Sequence, residues 1–65
     1  MNTNAPKALS IGGLETVYDA LAAAIDQAGE DKSQLFLVKL ALLCANAMAD
    51  ETHFQGLIDS ALQDL

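Results

Sequence analysis

Between residues 32 and 49 the chain leaves almost nothing polar for a helix to show to water. The segment KSQLFLVKLALLCANAMA carries Leu35, Phe36, Leu37, Val38, Leu40, Leu42, Leu43, Cys44 and Met48 against Lys32, Lys39 and Asn46. Those three polar residues stand seven apart. At about 100° per residue they share one narrow wedge, and apolar side chains fill the remaining circumference, roughly 300° of it. A helix apolar almost all round must be surrounded, and a chain of 65 residues leaves room for only two others. This one segment therefore predicts an all-α fold, a three-helix bundle with a nearly all-apolar central helix.

The flanking segments supply the two neighbours. From residue 11 to residue 29, Leu14, Val17, Tyr18, Leu21, Ala24, Ile25 and Ala28 recur at the spacing of a single helical face. Gly12 and Gly13 stand at its start and Gly29 where a helix is commonly closed by glycine. Asp31, with Gln34 three positions on, reads as a capping-box pair opening the central helix over residues 32–49. Asp50 reads as the cap of a third helix, with Glu51 favourable in its first turn. Phe54, Leu57, Ile58, Ala61, Leu62 and Leu65 then trace one stripe nearly to the last residue. Gly56 interrupts it, which predicts either weak helix or a close approach of another backbone. Residues 1–10 read as a flexible tail, and residues 11–65 as a single helical domain.

Charge narrows the function classes. Nine carboxylates face three lysines and no arginine, a net charge of -6, and Lys7, Lys32 and Lys39 are scattered. No basic cluster is present to hold nucleic-acid phosphates or an anionic lipid surface. The longest apolar run, residues 35–49, is broken by Lys39 and Asn46 and falls short of the roughly 20 residues that span a bilayer. Residues 1–10 lack the apolar core of a signal peptide, so the mature chain is expected to start near Met1. The single cysteine forms no internal disulfide and fits a cytoplasmic protein.

Candidate chemistry is sparse. Cys44 lies mid-helix among Leu42, Leu43, Ala45 and Met48 with no base nearby in sequence, so it is expected to be a buried structural thiol and not a nucleophile. His53 is the one imidazole, and it has no second histidine or cysteine at ligand spacing, so no metal is expected. Glu15, Asp19 and Asp26 line the side of the first helix opposite its apolar stripe. Such a row is a solvated face by default, or a docking face for a basic partner. Gly12-Gly13 follows no strand and lacks the Lys-Ser/Thr pair of a phosphate loop. Tyr18 is expected to pack its ring on the stripe with its hydroxyl in water.

Two blocks carry a resemblance. Tyr18-Asp19-Ala20-Leu21 with Ala23-Ala24, and Lys39-Leu40-Ala41-Leu42-Leu43-Cys44-Ala45-Asn46 closed by Asp50, resemble the small proteobacterial family called domain of unknown function 2783. The likeness covers roughly residues 14 to 50, although a cysteine interrupts the leucine run here. Genes of that family lie beside flavin-dependent oxidoreductases of aromatic breakdown, which implies an accessory role beside a larger enzyme. The resemblance supplies no catalytic residues.

The residues therefore predict a non-enzymatic interaction or accessory module, without cofactor, that self-associates as a dimer or larger, or docks on a larger protein. Leu35 and Leu42, which flank the Lys39 and Asn46 wedge, are the expected interface, and Glu15, Asp19 and Asp26 the expected acidic docking face. The alternative is a small-ligand carrier with an apolar pocket lined by Phe36, Leu43 and Met48. An enzyme built on His53 and a carboxylate lacks both a nucleophile and an orienting partner.

Overall fold

A computed structural model describes residues 8–65. Three helices follow in order, α1 (Ile11–Ala28), α2 (Ser33–Met48) and α3 (Glu51–Leu62), and no strand occurs among the described residues. The all-α expectation is met, and the bounds of α1 and α2 fall within a residue of those read from the pattern. The chain divides into two compact units, Met1–Ser33 and Gln34–Leu65. Most of the tail expected over residues 1–10 lies outside the described residues.

In the first unit the start of α1 is set by Ser10. Ser10 is extended, and its hydroxyl oxygen accepts from the Gly13 N–H at 3.0 Å. Gly12 and Gly13 thus lie inside the first turn, just after the cap. A Cβ on Gly13 would sit 3.3 Å from the Ser10 hydroxyl and 3.5 Å from Leu9, so this glycine lets the capping turn close tightly. Leu21, Ala24, Ile25 and Ala28 form a half-buried row, the C-terminal part of the predicted stripe. Tyr18, at the edge of that stripe, is 72% exposed, so its ring is not packed as expected. Gly29 ends the helix with φ of +85°, its N–H donating to the Ile25 carbonyl at 3.1 Å.

The turn into α2 departs from the expected capping box. It is closed by the Lys32 N–H on the Gly29 carbonyl at 3.1 Å and by the Ser33 hydroxyl on the Glu30 carbonyl at 3.5 Å. The Asp31–Gln34 exchange is not among the side-chain bonds of the described residues. The physical reason is that α2 begins at Ser33, one residue later than expected. Asp31 therefore precedes the cap position and does not occupy it.

In the second unit, two residues join α2 to α3. Ala49 takes a left-handed conformation, φ +58°, with its N–H on the Ala45 carbonyl at 3.0 Å. Asp50 is extended and its carboxylate accepts from the His53 N–H at 2.9 Å, as the sequence predicts. Phe36 and Leu40 form one half-buried row on α2, Ala45 and Met48 a second; Phe54 is the half-buried residue of α3. The last helix stops at Leu62, short of the expected end, and leaves Leu65 beyond it and 97% exposed.

No helix carries a basic residue in its last turn, and only α3 has an acidic one in its first. Asp26 and Asp59 lie in the final turns of α1 and α3 instead, where the helix dipole disfavours them.

Gly56 has nothing within 4 Å of the place where its Cβ would stand. Close approach of another backbone is thereby removed as the reason for this glycine. Gly56→Ala should stabilise α3 by about 1 kcal/mol, which thermal unfolding would register as a rise of roughly 4–8 °C in a domain this small. An unchanged or lower Tm would mean that the position meets a neighbour absent from the single chain.

Candidate functional site

What the three helices leave open is the most conspicuous property of the described residues. None is buried, and the large hydrophobic residues exposed on α1, α2 and α3 include Leu14, Val17, Leu35, Val38, Leu42, Leu43, Leu57, Ile58 and Leu62. They fall on the same stripes that the periodicity marked as apolar. A hydrophobic face is thus present on every helix, and much of it remains uncovered.

On α2 the exposed residues are ordered. Leu35 (57% exposed), Val38 and Leu42 (65%) stand three and four apart, within about 60° of one another round the helix. Lys39 and Asn46 run along one border of this row. Leu43, 66% exposed, lies on the far side of the wedge by itself. Both residues expected at an interface, Leu35 and Leu42, are therefore accessible, with Lys39 and Asn46 exposed beside them. Val38 belongs to the same row beside the expected Leu35 and Leu42, and its position three beyond the one and four before the other is a signal in the sequence.

Cys44 is exposed, which overturns its assignment as a core thiol. Its apolar neighbours in sequence radiate to other sides of the helix, and too few elements exist to enclose α2 on every side. On α1, Glu15, Asp19 and Asp26 are all exposed and project within a wedge of about 40° opposite the half-buried row. His53 is exposed at the start of α3, where its backbone and not its ring makes the capping bond.

Two open depressions accompany these faces. One, about 260 Å³, lies at the end of α1 against Ile25, Asp26, Gly29, Glu30 and Ser33. The other, about 580 Å³, lies where α2 meets α3, between Ala45, Asn46 and Ala49 on one side and Phe54, Gln55 and Ile58 on the other, with Asp50 and Glu51 at its rim. Neither is lined by Phe36, Leu43 or Met48, so the structure does not bring the expected carrier residues together in them.

Fold and surface together define a small all-α chain with exposed apolar stripes. No family model, curated protein or solved structure matches it.

Proposed function

We propose that this chain is a non-enzymatic helical interaction module whose apolar stripes are completed by another polypeptide. The observation that carries this reading is the exposure of large hydrophobic side chains on all three helices, with no described residue buried. Leaving such surface in water forgoes about 25 cal/mol for each Å², a large sum for a core that on its own supplies about 3–5 kcal/mol. The other polypeptide is a further copy of the chain or a larger protein. For the second case the acidic row Glu15, Asp19 and Asp26 is the docking face, and a basic surface its counterpart. The family resemblance makes a flavin-dependent oxidoreductase the larger protein of choice.

Light scattering coupled to size exclusion, together with titration of a hydrophobic fluorescent dye, tests this. The chain should run above monomer mass at micromolar concentration, or bind the dye wherever it is monomeric. A monodisperse monomer that leaves the dye dark would end the interaction reading.

A further inference from the structure

We infer that α2 is a homodimer seam, occupied along Leu35, Val38 and Leu42 by the same helix of a second copy. This rests on the interaction reading above and names its partner. The row gathers three exposed large hydrophobic residues of α2 on one side of the helix. Leu43 matches Leu42 in exposure, but its helical neighbours are Lys39, Asn46, Ala47 and the half-buried Leu40, so it stands alone. Leu35 and Leu42 are seven apart, as are Lys39 and Asn46 at the border. A seven-residue repeat is the period at which two helices hold a common seam along their length, and a second copy carries the same period.

Charge points the same way. All nine carboxylates lie outside residues 32–49, and two of the three lysines lie inside. Two chains of net charge -6 repel one another, and α2 is the one helix along which they meet without opposing carboxylates. A basic partner drawn by charge would be held by the acid-bearing helices α1 and α3 instead. The open row on α2 carries no charge with which to choose a foreign partner. From Leu35 to Leu42 the seam rises about 10 Å along the helix.

Sedimentation equilibrium on the full chain, in low and high salt, tests the inference. A dimer is expected that tightens as salt is added, because Glu30, Asp31, Asp50 and Glu51 border α2 in both copies. Leu42→Glu should weaken dimerisation by about tenfold or more, equivalent to at least ~1.4 kcal/mol. Leu43→Glu, one residue on and equally exposed, should leave it nearly unchanged. Should Leu42→Glu lose helix by circular dichroism, Leu42→Ala serves in its place and should weaken the dimer by a smaller factor without adding charge.

A dimer indifferent to both Leu42 variants, weakened equally at Leu43, or loosened by salt overturns the seam. A monomer at every concentration overturns the second copy as occupant. If that monomer still binds the hydrophobic dye, the interaction reading stands with a different partner, and if it does not, both fall together.

Discussion

Cys44 should react with a thiol reagent in the native protein at a rate within about tenfold of its rate in denaturant. A thiol enclosed in a core labels only when the fold opens, and an opening free energy of about 4 kcal/mol would slow it roughly a thousandfold. The two arrangements therefore differ by some two orders of magnitude in a simple absorbance measurement. Exposure of the side chain favours the fast result. Cys44 also projects about 150° round the helix from the centre of the Leu35, Val38 and Leu42 row, so pairing along that row leaves it reachable. Slow native labelling that speeds up on dilution would place Cys44 inside a contact between chains.

The second large effect is a pair of opposite responses at the two helix ends. Gly29 has φ +85° and ψ 163°, a combination open essentially to glycine alone. Nothing lies within 4 Å of its absent Cβ, so steric room is not the obstacle. Gly29→Ala should destabilise the chain by about 1–3 kcal/mol through backbone strain. Ala49 is the reverse case, since an alanine holds the left-handed position that glycine usually fills after a helix. Ala49→Gly should stabilise by about 0.5–1 kcal/mol, the relief of strain less the extra freedom glycine has when unfolded. Chemical denaturation of both variants reads the two signs directly. Equal shifts in one direction would show that these ends do not keep their conformations in solution.

The elements were legible because each is marked twice. Apolar spacing located α1 and α3, and Gly29 closes the first where its period ends while Asp50 opens the second where its period begins. The Ser10 cap was less visible because Gly13, not a glutamate, stands at the position that completes a capping box. Asp31 misled for the converse reason: a good capping pair in sequence has no effect when the helix starts beyond it. Burial was the least legible property. Sequence surroundings predict which side chains seek cover, and so point to a buried Cys44 and to a Tyr18 ring packed on the stripe with its hydroxyl in water. Whether cover exists depends on how much surface the other elements supply, and no single position encodes that. Two of the three residues of the accessible row on α2, Leu35 and Leu42, were legible because the polar wedge beside them marks the solvent side.

The arrangement of charge at the helix ends has a consequence for how much of this protein a cell must hold. With Asp26 and Asp59 in the last turns of α1 and α3 and no lysine in any last turn, the helices lack the end compensation that lets such segments persist alone. Stability gained by association obeys mass action and grows with the logarithm of the amount of partner present. For a chain that pairs as proposed, abundance acts as a term in the folding equilibrium. Below a threshold level such a chain would be open to proteolysis, and above it each added molecule would protect the others, so that synthesis rate would set not only how much protein exists but what share of it is folded.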